Sequence, residues 1–289
     1  MKTSSALAIM LALFVGGLTL HAGDPGYRVR HHPNGDTLRV KVLTYNVLGG
    51  RNTDGARDLN RIAEVIKALD PDVVALQEVD RRTGRLQGVD LPAELAALTG
   101  MAFVFGRAMY YDGGEYGEAI LSRFPIIGVT RHALPHRETS EPRAALAATI
   151  QFPASDRSFV FIGTHLDHLR SPEDRLMQVK EINAIARRYE GRPVILAGDL
   201  NAVPQSDPMR MLETVWTDAW RKNSDGFTFP ADEPRRRIDY VLYRPEDRWS
   251  VVKTYRGIDV FASDAAWRDL LNRASDHLPL MAEFMLGVE

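Results

Sequence analysis

Apolar residues gather along the chain in short runs, and several of these runs stop abruptly at a polar side chain. One fills residues 40–47 and carries Asn46 at its end; a second, 73–77, ends at Glu78; a third, 193–198, runs into Asp199 and Asn201. Short apolar runs bounded by polar residues read as buried strands. Strands are therefore expected over 39–47, 73–79, 101–105, 118–122, 144–152, 158–163, 237–243 and 278–284, with one more ending at Asp199. Helical spacing shows in two longer stretches. Over 58–69, Leu59, Ile62, Val65, Ile66 and Leu69 share one face, and Asp70-Pro71 closes the helix. Ser171-Pro172-Glu173-Asp174 combines an N-cap, a first-turn proline and early acids, and Leu176, Val179, Ile182 and Ile185 form the stripe that follows. Shorter helices are expected at 92–98 and 264–271. Strands outnumber helices and mostly follow one another, so the expected fold is an α/β sandwich of two sheets with helices outside.

The first residues fall outside this pattern. Lys2 precedes an apolar run from Ala6 to Leu20, and Ala22 offers a small residue for cleavage, so 1–22 reads as a signal peptide. Residues 23–37, rich in Gly, His, Pro and Asn, read as an exposed linker, and 38–289 as the catalytic domain. The chain of 289 residues contains no cysteine, which excludes disulfides and thiolate metal ligands. An exported protein of this kind is expected in the periplasm or secreted. The formal net charge is −2, and one unit more negative without Lys2, which is not the balance of a protein that holds nucleic acid through its phosphates. Two basic clusters, Arg81-Arg82 with Arg85 and Arg235-Arg236-Arg237, read as solvated loops.

The polar residues at the strand ends carry the chemistry. Asp199 and Asn201 stand two apart, so an extended backbone turns both to one side. His165 ends one strand within Thr164-His165-Leu166-Asp167-His168, and His277 stands in Ser275-Asp276-His277-Leu278-Pro279. A carboxylate that holds one imidazole nitrogen leaves the other for proton transfer. Taken singly, each of these residues has a commonplace structural reading; three carboxylates and two histidines at strand ends together do not. Oxygen ligands of this kind suit a hard divalent cation.

The ordered set Thr44-Tyr45-Asn46-Val47, Gln77-Glu78-Val79, Gly117-Glu118-Ala119-Ile120-Leu121-Ser122, Thr164-His165-Leu166, Gly198-Asp199-Leu200-Asn201, Arg237-Ile238-Asp239-Tyr240 and Ser275-Asp276-His277-Leu278-Pro279 resembles the endonuclease/exonuclease/phosphatase superfamily. The resemblance spans 39–284. It implies a four-layered α/β sandwich with two packed, mainly antiparallel sheets flanked by helices, and hydrolysis of phosphoesters with Mg²⁺ or Mn²⁺. It implies metal-side roles for Asn46, Glu78 and Asp276, and catalytic roles for His165, Asp199, Asn201, Asp239 and His277. Asp239 is the carboxylate that would orient His277, and either Asp199 or His277 would act as general base. Asn46, His165 and Asn201 would contact the phosphate, Arg143 would reach it, and Glu118 would orient His165. Residues 80–91 and 244–275 do not match the DNA-contacting loops of the nucleases, so the chain looks more like exported bacterial hydrolases near the sphingomyelinases. The expected activity is that of a phosphodiesterase acting on a lipid head group or other small phosphoester, with DNA or RNA as the alternative substrate, and no obligate protein partner is inferred. A non-catalytic binding module on the same fold is disfavoured because every expected acid and histidine is present.

Overall fold

Alternating side chains explain why so many runs are apolar throughout. The computed structural model describes residues 38–220 and 225–287; the signal peptide and linker expected at 1–22 and 23–37 lie outside them. In chain order the elements are β1 (Leu38–Asn46), α1 (Leu59–Leu69), β2 (Val73–Arg81), α2 (Leu91–Thr99), β3 (Ala102–Tyr111), β4 (Gly114–Ser122), β5 (Ile126–Leu134), β6 (Arg143–Gln151) and β7 (Ser158–His165). There follow α3 (Glu173–Arg187), β8 (Val194–Asp199), α4 (Asp207–Glu213), β9 (Thr217–Asp218), β10 (Asp239–Arg244), β11 (Trp249–Arg256), α5 (Gly257–Val260), α6 (Ala265–Ala274) and β12 (Leu280–Leu286). One sheet has the order β11-β12-β1-β2-β4-β3 and the other β5-β6-β7-β8-β10-β9. Each holds one parallel pair, β1 with β2 and β7 with β8, joined by α1 and by α3; the remaining pairs are antiparallel.

The sheets pack face to face. Val40, Val42, Val73, Ala75, Phe159, Phe161, Ile195 and Ala197 point inward and form the core between them. Their neighbours point outward. Leu43, Tyr45, Val74 and Leu76 meet Ile62, Val65, Leu95 and Leu271 from the helices on one side, while Val160, Ile162, Val194 and Leu196 meet Val179, Ile182 and Leu212 on the other. Central strands buried on both faces cannot alternate polar with apolar, which is why they read as continuous runs. The four layers are thus helices, sheet, sheet, helices.

Helix α1 forms as its spacing requires, with Asp58 accepting from the Arg61 amide at 3.2 Å and a left-handed Asp70 ending it. Helix α3 differs from its sequence reading. It starts at Glu173 with Pro172 in the cap position, and Leu176 is only half-buried, while Asp174, Arg175, Gln178 and Asn183 are buried beside Val179, Ile182 and Ile185. These polar groups are bonded: Arg137 Nε donates to Asp174 at 2.9 Å and Trp216 Nε1 to Asn183 at 3.0 Å. The strand expected at 101–105 continues to Tyr111 along β4. The edge strand β5, β9 at the other edge of that sheet, the edge strand β11 and helix α4 have no counterpart in the sequence reading.

Candidate active site

The inward alternation that builds the core continues past it into polar residues. On β1, Val40, Val42 and Thr44 lead to Asn46; on β7, Phe159 and Phe161 lead to His165; on β8, Ile195 and Ala197 lead to Asp199; on β10, Asp239 precedes inward Val241 and Tyr243. Period-two geometry therefore aims Asn46, His165, Asp199 and Asp239 into the space between the sheets at one end. Register aligns three of them. Asp199 lies opposite His165 on β7 and opposite Asp239 on β10.

Glu78 arrives by a different device. Plain alternation would put it outward with Val74 and Leu76, but β2 carries a bulge between Leu76 and Val79, and Glu78 has φ 55°. A bulge re-aims a side chain. The Glu78 carboxylate consequently accepts from Asn46 Nδ2 at 3.0 Å, and the same amide donates to Asp199 at 3.2 Å. Asn201, also left-handed with φ 47°, turns its own amide N–H back to Asp199 Oδ1 at 2.9 Å. Its side chain donates to the Leu166 carbonyl at 3.1 Å and lies 3.0 Å from His165 Nε2.

His277 comes from the loop before β12. Ser275 anchors that loop by donating to the Asn46 carbonyl at 2.7 Å and accepting from the His277 amide at 3.1 Å. His277 Nδ1 is 3.0 Å from Asp239 Oδ2, Nε2 is 3.6 Å from Asp199 Oδ2, and the ring packs against Phe229 at a tilt of 53°, with centroids 4.8 Å apart. Burial alone would lower the His277 pKa, but Asp239 and Asp199 outweigh it and hold it up at about 10. Burial pushes the Asp199 carboxyl up, and Asp239 adds to it against the pull of His277. His165 is forced the other way: burial and then the charges of Arg143 and His277 hold it well below the ordinary imidazole value.

Glu78, His165, Asp199, Asn201 and His277 line a cleft of about 430 Å³ together with Asp276, Arg143 and Tyr116. Every residue expected from the sequence to act at the site lies in or beside it. Asn46 is buried beneath it; Glu78, Asn201 and Asp276 are partly exposed. Arg143 is 2% exposed, and its guanidinium donates to His165 Nδ1 and to His168 Nδ1 at 3.0 Å each and pairs with Glu141 at 3.0 Å. Arg143, not Glu118, is the group at His165 Nδ1. Glu118 is buried with Oε2 lacking a hydrogen-bond partner among the described residues, and burial pushes its carboxyl up to about 8 against the charge of Arg143. His168, Tyr116 and Phe229 also line the cleft, and sequence reasoning assigned them nothing; Arg85 and Arg236, expected in solvated loops, line it as well. His168 stands two residues beyond Leu166, and only the fold brings Arg143 to it from β6.

For a cation, Glu78 and Asp276 supply carboxylate oxygens at the cleft surface, hard donors that fit Mg²⁺ or Mn²⁺, while Asn46 turns Nδ2 to Glu78 and Oδ1 to the Leu48 amide at 3.1 Å and so orients Glu78. Asp199, Asp239 and His277 also bring ligand atoms within 4.8 Å of one another. The bond from His277 Nδ1 to Asp239 already engages two of those three as a charge pair.

A sandwich of two sheets whose facing strands end in carboxylates, amides and histidines defines a class of phosphoric-ester hydrolases. The chain belongs to the endonuclease/exonuclease/phosphatase family, whose model matches residues 43–277. It is similar to the protein YbhP of Escherichia coli strain K12, 27% identical over 266 residues that cover 85% of this chain and 96% of that one. Among solved structures it is similar to an endonuclease/exonuclease/phosphatase from Beutenbergia cavernae, with 28% identity, a TM-score of 0.70, and coverage of 86% of this chain and 72% of that one. A mannosyl-6-phosphatase from Bacteroides thetaiotaomicron shares the fold at 21% identity and a TM-score of 0.66, over 85% of this chain and 99% of that one.

Proposed function

We propose that the chain is an exported phosphodiesterase that cleaves a lipid head group or other small phosphodiester by in-line attack of water. The observation that carries the reading is the convergence of Asn46, Glu78, His165, Asp199, Asp239 and His277 at one end of the inter-sheet space. A divalent cation, Mg²⁺ or Mn²⁺, held by Glu78 and Asp276 with Asn46 orienting Glu78, would neutralise phosphate charge there. Asp199 takes the proton of the attacking water, since a carboxyl pushed toward neutrality is an effective acceptor near pH 7. The water oxygen bonds to phosphorus, the bond to the ester oxygen breaks, and the alcohol departs with a proton from solvent. His277, kept cationic by Asp239, meets the phosphoryl oxygens as charge builds on them. Asn201 holds Asp199 in place through its backbone amide.

The ion pairs favour a small substrate over nucleic acid. Arg81 is paired with Asp90 and Glu115, Arg82 with Asp90 and Arg85 with Asp80, so the first basic cluster is neutralised within the protein; in the second, Arg237 pairs with Asp218, Arg235 meets Glu233 only at 4.0 Å, and the exposed Arg236 lines the cleft. Duplex binding needs such charges free for phosphates. The name of the Bacteroides neighbour, a mannosyl-6-phosphatase, is that of an enzyme acting on a small phosphate ester and supports the same choice. Export to the periplasm or beyond is supported by the leader-like run at Ala6 to Leu20. The test is a panel assay of the purified protein with Mg²⁺ or Mn²⁺ at moderate salt on sphingomyelin, phospholipids, bis(p-nitrophenyl) phosphate and plasmid DNA. Faster turnover of a head-group or small diester than of plasmid is expected; plasmid nicking with no turnover of the others would promote the nuclease reading.

A further inference from the structure

The two histidines of the cleft are backed by opposite charges. Behind His277 stands a carboxylate, Asp239, 3.0 Å from Nδ1; behind His165 stands a guanidinium, Arg143, also 3.0 Å from Nδ1. A guanidinium has donors and no acceptor. The Nδ1 it meets must therefore be a lone pair, and the ring proton must sit on Nε2. An imidazolium would need a hydrogen on Nδ1 aimed at a second donor, with two cations in contact.

We propose that Arg143 is a positioning residue that fixes His165 as the neutral tautomer protonated on Nε2, so that this histidine offers the substrate a permanent hydrogen-bond donor and not a transferable proton. Three further observations agree. Arg143 and His165 are 2% and 3% exposed, so water does not compete for either nitrogen. Arg143 is itself held on three sides, by Glu141, His168 and His165. Nε2 faces the cleft, with Asp199 Oδ2 at 3.4 Å, a contact long enough to yield to a better acceptor. The Asn201 amide nitrogen lies 3.0 Å from Nε2 and donates to the Leu166 carbonyl at 3.1 Å; with Nε2 protonated, only the second of these contacts is a hydrogen bond. A lone pair engaged by a cation makes the N–H on the far side of the ring a stronger donor, so the charge of Arg143 reaches the cleft through the imidazole without a proton moving. Two histidines whose surroundings drive them apart take separate roles: His277 the cation, His165 the fixed neutral donor. The tautomer stands on geometry alone, and its use toward a phosphoryl oxygen rests on the phosphoester reading above.

The test needs no substrate. Full-length protein labelled with ¹⁵N-histidine is examined by long-range ¹H–¹⁵N correlation at pH 7, with His165→Gln identifying the His165 signals. Expected is an unprotonated Nδ1 and a protonated Nε2 in the wild type, and in Arg143→Ala a shift of both signals toward the averaged values of a mixed-tautomer ring. Arg143→Lys, which can only donate, should restore the wild-type pattern. A protonated Nδ1 in the wild type overturns the proposal, as does an Arg143→Ala variant that folds and keeps the wild-type pattern. Should Arg143→Ala not fold, the wild-type spectrum decides. Absence of phosphoesterase activity would defeat the proposed function and leave this spectrum unchanged.

Discussion

His277 and Glu118 show how far a single side chain's surroundings determine its charge. His277 is cationic because Asp239 and Asp199 outweigh its burial, and in the proposed mechanism that cation meets the charge developing on phosphate. His277→Ala should lower kcat on a small diester by about 10²-fold or more, and Asp239→Asn should reproduce part of the loss. Steady-state kinetics of the two variants check this; near wild-type turnover in both would make the histidine structural. Glu118 is the opposite case, a buried carboxyl raised to about 8 from 4.5. Its proton is bound more tightly in the folded state, so its stabilising contribution is complete below about pH 4.5 and is lost as pH rises toward 8. Glu118→Gln removes that titration. At pH 8 the variant should be more stable than wild type by about 1–3 kcal/mol, the cost of an unpaired buried polar group. Thermal melts at pH 5 and pH 8 should converge at the lower pH; parallel curves would contradict the assignment.

Strand ends and helix faces account for what was and was not legible in the chain. The central strands declared themselves because both faces are buried, and on β1, β2, β7 and β8 the polar residues at or near the ends of the runs, Asn46, Glu78, His165 and Asp199, are the ones that line or underlie the cleft. The edge strand β5 has residues exposed along most of its length, with only Leu134 buried, so no apolar pattern marks it. Strand β11 bends at a bulge between Val251 and Lys253, and α4 is a short helix of seven residues. Helix α3 hides part of its buried face in Asp174, Arg175, Gln178 and Asn183, whose partners lie off the helix: Arg137 and Trp216 for Asp174 and Asn183, and the loop at Asp167 for Arg175 and Gln178. Glu78 could be singled out by its place after an apolar run, but the bulge that turns it into the cleft depends on pairing with β4. The close approach of β7 and β8 offers a test at this scale. A Cβ on Gly198 would lie 2.1 Å from the Thr164 carbonyl oxygen, whereas one on Gly163 would meet Ala75 and Ile120 at an ordinary 3.5 Å. Gly198→Ala should cost about 1–3 kcal/mol or more by urea denaturation and reduce activity by parting His165 from Asp199, while Gly163→Ala should stay close to wild type. Equal stability of the two variants would contradict this reading of the strand contact.

At the scale of the whole molecule, two sheets are held apart by an apolar core, and that core gives way at one end to a cleft in which carboxylates outnumber the free cations. Arg85 is bound in two places by Asp80, at 2.6 and 2.8 Å, and Arg143 is spent on its histidines and Glu141. Glu78, Glu141, Asp199 and Asp276 would then face an anionic substrate with His277 and the exposed Arg236 as counterweights, an excess of negative charge that a divalent cation would offset. The most direct measurement is turnover of a small diester by protein treated with excess chelator and then supplied with Mg²⁺ or Mn²⁺. The account predicts loss of activity on chelation and its return with either ion; full activity in excess chelator would contradict it.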